Sequence, residues 1–318
     1  MRLRLALLSF IAVQSATALA QRVELPIREV DFSDGMRRYT VTLSIDGKPI
    51  EAALDTGSSG LRVLAPRLSD AAQAAKGHVS SYGYESGAEF KGQIIRLPVT
   101  IGAVSANAEL MRVDAIGCRR EKPNCPMGGA DLKTFGIMGD MLPGQGFAAI
   151  FGTAMNRNDI DNPLVELGVK RWIVQLPRQA GETGKLVLNP DETELASFKR
   201  FQVDDRGMFS GCLIAAARAS QRICAPAIFD SGAPGIHVVG GESPKPQQWP
   251  RGTDVTLALG DQHASAGINV TLGRRDQAAG FFIEPGPQRQ HLAFGIASYL
   301  AWSVLYDASR HEIGIAPR

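Results

Sequence analysis

The chain has 318 residues, 44% of them hydrophobic and 21% charged, with 34 Lys and Arg against 32 Asp and Glu. Such a composition describes a globular protein of one large or two ordinary domains and excludes a low-complexity or disordered chain. The small net charge gives no footing for binding nucleic acid or an anionic membrane.

Residues 1–20 read as a secretory signal. Arg2 and Arg4 are basic, Leu5 to Ala16 are mostly apolar, and Ala18-Leu19-Ala20 has the small-x-small form of a cleavage site. The apolar stretch is too short to span a bilayer comfortably. The expected mature chain starts near Gln21, has equal numbers of basic and acidic residues, and is exported to the periplasm or secreted without a membrane anchor. Pro and Gly recur throughout, which favours many short strands over long helices. Few helices are expected, with short candidates at 69–76, 163–168 and 297–303.

Residues 52–64 read AALDTGSSGLRVL, an aspartate at the end of an apolar run followed by hydroxyls and glycines. A buried acid is costly unless it is paired or hydrogen-bonded. Residues 227–239 repeat the pattern as AIFDSGAPGIHVV, with five of thirteen positions identical and five more close in type. The two copies lie about half a chain apart, so the spacing indicates duplication into two similar lobes, each bringing one aspartate, Asp55 and Asp230. Two carboxylates that meet across an interface share a proton. The ionised one can draw a proton from water while the protonated one donates to a carbonyl oxygen, which hydrolyses an amide without a covalent intermediate. Gly57 and Gly232 allow tight approach to the acids, Thr56 and Ser231 can bond across the lobes, and Ser58 can donate to Asp55.

The four cysteines, Cys118, Cys125, Cys212 and Cys224, suit disulfides in an exported chain. Three connectivities are possible. Small loops close most easily, which favours Cys118–Cys125 and Cys212–Cys224. Zinc is the rival, but neither pair has C-x2-C spacing and no histidine lies close by. No G-x-S-x-G, H-E-x-x-H, G-x-G-x-x-G or Walker loop occurs, and no metal or cofactor is implied.

With both aspartate loops in view, the chain resembles the pepsin-like, bilobal aspartic proteases over nearly its whole mature length. RYTVTLSIDGKPIEAALDTGSSG (38–60) resembles the family's opening hairpin and first catalytic loop. FGIMGD (135–140) resembles the segment that crosses behind that loop. NPLVELGVKRWIVQLPRQAGETGKLVLNPDE (162–192) resembles the helix, lobe-linking strand and hairpin, and FGIASYLAWSVLYDASRHEIGIAP (294–317) the C-terminal end.

The resemblance implies an all-β fold of two barrel-like lobes, 21–175 and 176–318, with a cleft between them. It implies an aspartic endopeptidase that binds an extended polypeptide, prefers bulky apolar residues at the cut, and needs no dimer because one chain supplies both aspartates. The alternative from another class is a pepsin-like protein that has lost catalysis and serves as a binding protein or inhibitor. SSYGYESGAEFKGQI (80–94) stands where the family has a flap hairpin with a tyrosine over the substrate. Tyr82 is followed by Gly as the family prefers, Tyr84 fits the distance to Gly92 better, and the choice stays open.

Three departures stand out. Arg62 occupies the position of a tryptophan that supports the flap tyrosine, and cation–π contact is one way it could replace that support. Its counterpart, His237, reads as a surface or packing residue. Ala233, followed by Pro234, replaces a hydroxyl that pepsin itself bonds to the second aspartate, although other active members carry alanine. The missing donor implies a dyad protonated to higher pH and an optimum less acid than pepsin's. The fifteen or so residues ahead of Met36 leave no room for an inhibitory propeptide, and 22–32 reads as a strand in the sheet spanning both lobes.

Overall fold

Apolar runs punctuated by Gly, Pro, Asn and Asp favour short strands, and the computed structural model is 52% strand and 8% helix. It describes residues 21–139, 144–156, 159–218, 220–241, 249–260 and 266–318; the expected signal segment lies outside them. The first half supplies strands β1 (Val23–Asp31), β2 (Arg37–Ile45), β3 (Lys48–Asp55), β4 (Ser59–Leu64), β5 (His78–Gly83), β6 (Ala88–Ile101), β7 (Val104–Cys118) and β8 (Ala149–Thr153). A hairpin follows, β9 (Arg171–Gln175) and β10 (Gly184–Leu188). The second half contributes β11 (Lys199–Gln202), β12 (Phe209–Ala215), β13 (Arg222–Ile228), β14 (Gly235–Gly241), β15 (Asp254–Leu259) and β16 (Ala266–Thr271). It ends with β17 (Gly280–Glu284), β18 (Gly286–Ala293), β19 (Trp302–Asp307) and β20 (Glu312–Pro317).

Local chemistry sets the turns. Asp46 and Gly47 both have positive φ, 49° and 75°, between paired Ile45 and Lys48, which is the Asp-Gly turn that matches strand twist. The expected helices form as short pieces: α1 (Asp70–Ala74), capped by the Ser69 side chain, and α2 (Pro163–Glu166), capped by Asn162. An additional helix, α3 (Glu192–Leu195), is fixed by a capping box between Asp191 and Glu194. The last, α4 (Gly295–Ala301), starts two residues earlier than expected because it follows directly on β18, and residues 302–303 belong to β19.

Strands β2, β3, β8, β4, β7 and β6 pair in that order, and β6 returns to β2 through Ser44–Thr100 and Ile45–Val99, closing the sheet on itself. The second half forms an open sheet, β16-β15-β12-β13-β18-β14-β17. Between them β1 pairs with β2 at one end and β10 at the other, so the N-terminal strand joins the first half to the run β10-β9-β19-β20-β11. One hydrophobic core runs through both halves, from Leu43 and Phe151 to Trp172, Phe229 and Phe294.

The duplication read from the sequence is visible as topology. In the first half β8 lies between β3 and β4, parallel to one and antiparallel to the other. In the second, β18 lies between β13 and β14 in the same way. This corrects one assignment: the segment behind the first loop is Ala149–Thr153, not 135–140. Within 135–139, Ile137 makes only an isolated bridge to Phe147, and Asp140 lies outside the described residues. The physical reason is close packing. A Cβ on Gly152 would sit 2.7 Å from the Gly60 carbonyl oxygen and 2.8 Å from that of Ser58, so this strand passes where only glycine fits. Its counterpart is Gly295, where a Cβ would meet the Gly235 carbonyl oxygen at 2.0 Å.

Gly152→Ala and Gly295→Ala should therefore each lose about 1–3 kcal/mol or more in urea unfolding. Gly117→Ala, with nothing within 4 Å of its added carbon, should change little. Equal losses at all three positions would show that the crossing strands are not tightly held.

Candidate functional site

β3 ends on Asp55 and β13 leads to Asp230 through Phe229, which packs among Phe209, Tyr299 and Trp302. The two loops are held by a reciprocal set of hydrogen bonds. The Thr56 amide donates to Ser231 Oγ at 3.1 Å, and the Ser231 amide donates to Thr56 Oγ1 at 2.9 Å. Each hydroxyl then donates onward to the opposite loop, Thr56 Oγ1 to the Phe229 carbonyl at 3.0 Å and Ser231 Oγ to the Leu54 carbonyl at 2.7 Å.

The glycines serve close approach. A Cβ on Gly57 would lie 2.3 Å from the Asp230 carboxyl carbon, and one on Gly232 would lie 2.9 Å from Asp55 Oδ1. Each acid thus fills the space in front of the other loop's glycine. Asp55 accepts from the Gly57 amide (2.9 Å), the Ser58 amide (3.3 Å) and the Ser58 hydroxyl (2.5 Å). Asp230 accepts from the Gly232 amide at 2.8 Å, and Ala233 offers no hydroxyl to match Ser58. Burial, and then the adjacent Asp55 carboxylate, hold the Asp230 carboxyl well above the usual range. The hydrogen-bond donors of the site thus converge on Asp55, and Asp230 is the carboxyl whose neutral form its surroundings favour.

One hydroxyl chain has no counterpart among the described residues of the other half. Thr56 Oγ1 gives its proton to Phe229 and accepts from Ser231, so Tyr299, at 2.6 Å, donates to it. Tyr306, 2.5 Å from the Tyr299 hydroxyl, donates in turn. Sequence reading did not single out either tyrosine, because α4 and β19 bring them to the loop from far along the chain.

The hairpin β5–β6 covers this floor, and both candidate tyrosines lie on it. The Arg62 guanidinium, fully buried, stacks 3.6 Å from the Tyr82 ring centre and 5.9 Å from that of Tyr84. It donates to the Ser59 carbonyl at 2.6 Å and to Asp159 Oδ1 at 2.7 Å. Ser80 on the hairpin donates to the other Asp159 oxygen at 3.2 Å. Burial pushes the Tyr82 hydroxyl up to about 12, with Asp55, Asp159 and Asp230 adding to the rise and Arg62 opposing it. The Tyr82 hydroxyl therefore lies within electrostatic reach of both carboxylates. Tyr84 packs edge-on against Tyr82 and Phe90, and its buried hydroxyl lies beside the Ser58 side chain. Asp159 escaped sequence reading because nothing local marks it as Arg62's partner.

His237, expected at the surface or in packing, is half-buried. Its Nδ1 bonds Glu284 at 2.8 Å and its ring stacks on Phe282 at 4.6 Å. Beside the second loop, a cavity of about 410 Å³ lies between the halves, with Met36, Pro234, Trp249, Phe281 and Ile296 on its apolar side and Asp34, Arg37, Arg251 and Arg275 also in its lining. The cysteines form two disulfides, Cys118–Cys125 and Cys212–Cys224, which excludes the zinc reading for these thiols. Among the described residues, no group of three or more His, Cys, Asp or Glu is placed to hold a metal, and no helix is long and apolar enough to cross a membrane. No protein-family model and no curated protein matches the chain.

Because the Asp230 carboxyl is held up in the folded state, the native protein keeps a proton that the unfolded chain releases above its ordinary value of 3.8. Stability contributed by this site is greatest in acid and falls as pH rises toward the folded value. Asp230→Asn should therefore unfold later than wild type in thermal melts near neutrality, with the difference vanishing below about pH 4. A variant less stable than wild type at neutral pH would contradict this assignment of the proton.

Proposed function

We propose that the chain is an aspartic endopeptidase of the bilobal, pepsin-like kind, exported and working as a monomer. The observation that carries this reading is the pair of repeated D-[ST]-G loops meeting face to face, with the two carboxyl groups adjacent and Asp230 held well above the usual range by burial and by Asp55. Two lobes sharing the floor at Thr56 and Ser231 supply both acids from one chain. The paired disulfides are compatible with an exported protein.

In the reaction, a water bound between the carboxylates gives a proton to the ionised Asp55 as its oxygen attacks the peptide carbonyl. Asp230 gives its proton to the carbonyl oxygen, forming a neutral gem-diol. Asp55 then returns its proton to the leaving nitrogen while Asp230 recovers one from the gem-diol, so the C–N bond breaks and the pair is restored. The substrate lies extended beneath the hairpin, held by strand-like main-chain bonds. The apolar walls of the cavity beside Pro234 suit a bulky apolar side chain.

Incubation of residues 21–318 with an unfolded protein from pH 3 to 8 tests the proposal. Asp55→Asn and Asp230→Asn should each cut the rate about 10²–10⁴-fold, and a statine-type hydroxyl mimic should block it. Ala233→Ser gives Asp230 a donor that favours its ionised form, so the alkaline limb of the profile should move to lower pH. Binding of the mimic with no cleavage of the unfolded protein would favour a peptidase of narrow substrate choice over the inactive binding protein. Absence of both, in a folded sample, would remove the peptidase reading.

A further inference from the structure

We propose that Lys122 and Glu284 close the cleft into a ring, so that the enzyme accepts chains that can thread beneath the hairpin in preference to closed loops. The proposal rests on the peptidase reading and specifies its substrates further.

The floor of the ring is the set of bonds between Thr56 and Ser231. Its roof is a contact that lies in neither aspartate loop. Lys122 sits in the loop bounded by Cys118–Cys125, which runs along the hairpin tip: the Arg119 amide donates to the Gly87 carbonyl at 2.8 Å, and Ala88 pairs with Cys118. From there Lys122 Nζ donates to the Glu85 carbonyl at the tip and, at 2.6 Å, to Glu284 Oε2 on β17 of the opposite half. Glu284 is fixed from its own side by His237. His237 first, and Lys122 after it, hold the Glu284 carboxyl down to about 2 although burial pushes the other way.

The first half thus touches the second at the floor of the carboxylate pair and again at the hairpin tip, with Tyr82 on the hairpin between the two contacts. A polypeptide reaches the pair by passing an end through the ring or by waiting for the roof to open. A linear peptide can do either; a cyclic peptide has only the second route. Lys122 is two-fifths exposed, so the ion pair is a modest one and the roof opens readily. It acts as a filter on rate rather than an absolute bar.

The test compares one peptide substrate in linear and head-to-tail cyclised form, using the whole mature chain. Lys122→Glu and Glu284→Lys should each raise the ratio of cyclic to linear kcat/KM by up to about fivefold, the factor that ~1 kcal/mol represents. The double variant, which restores an ion pair with its signs exchanged, should bring the ratio back toward wild type. A ratio that is the same in all four proteins, with linear cleavage intact and lost in Asp55→Asn, would overturn the ring while leaving the peptidase reading standing. If wild type cleaves neither peptide, the ring is judged by hydrogen exchange. Amides of residues 78–94 should then exchange faster in each single variant and recover in the double, and equal exchange in all would overturn it.

Discussion

Two carboxyl groups can occupy the same few ångströms of a partly buried site only if they share a proton, and much of this structure serves to hold them there. The constraint reaches the backbone through Thr56 and Ser231, whose amides and hydroxyls exchange partners across the two halves. In this network all four contacts join one aspartate loop to the other half, so neither loop can shift alone. The glycines at 57 and 232 are required because the opposing carboxylate stands where a side chain would start. The crossing strands behind the loops face the same restriction, at Gly152 and Gly295.

Within this near-symmetry the differences carry the chemistry. Ser58 gives one acid a hydroxyl donor, and Ala233 denies it to the other. Equivalent groups in equivalent settings would leave the proton undecided; unequal donors decide it. The Tyr306–Tyr299–Thr56 chain adds a second asymmetry. Each hydroxyl in it has one proton, so the direction of donation is fixed once Thr56 donates to the Phe229 carbonyl. The floor therefore has one consistent hydrogen-bond arrangement, and all three members are buried.

The aspartate loops, their hydroxyls and glycines, the local disulfides and the N-terminal strand that joins the halves were legible in the sequence. Each depends on residues close together in the chain or on a repeat that can be aligned by eye. The segment behind the first loop was misplaced because an apolar-Gly signature occurs twice in that half. A sharper signal was present: IFGTA at 150–154 echoes AFGIA at 293–297, the segment that crosses behind the second loop. Asp159, Tyr299 and the Lys122–Glu284 contact were not legible, since each takes its meaning from a partner brought near only by the folded sheets. The tyrosine ambiguity had a different origin. Tyr82 is the last residue but one of β5 and Tyr84 opens the turn after it, with their rings in contact, and the closer Arg62 stack and the field of both carboxylates single out Tyr82.

The repeat also explains the two residues that looked most out of place. Arg62 and His237 occupy equivalent positions on β4 and β14. Each bonds a carboxylate, Asp159 or Glu284, and each stacks on an aromatic ring, Tyr82 or Phe282. Ion pairs that exclude water contribute little net stability, but losing one partner is costly, and in some proteins they serve to fix register. Here the carboxylates extend the pairing to what lies above the site: Asp159 holds Ser80 of the hairpin, and Glu284 holds Lys122 beside the hairpin tip. A nonpolar side chain at either position could pack as tightly but could not choose a partner at a distance. The hydrogen-bonding groups at 62 and 237 therefore tie what lies above the carboxylates to both halves.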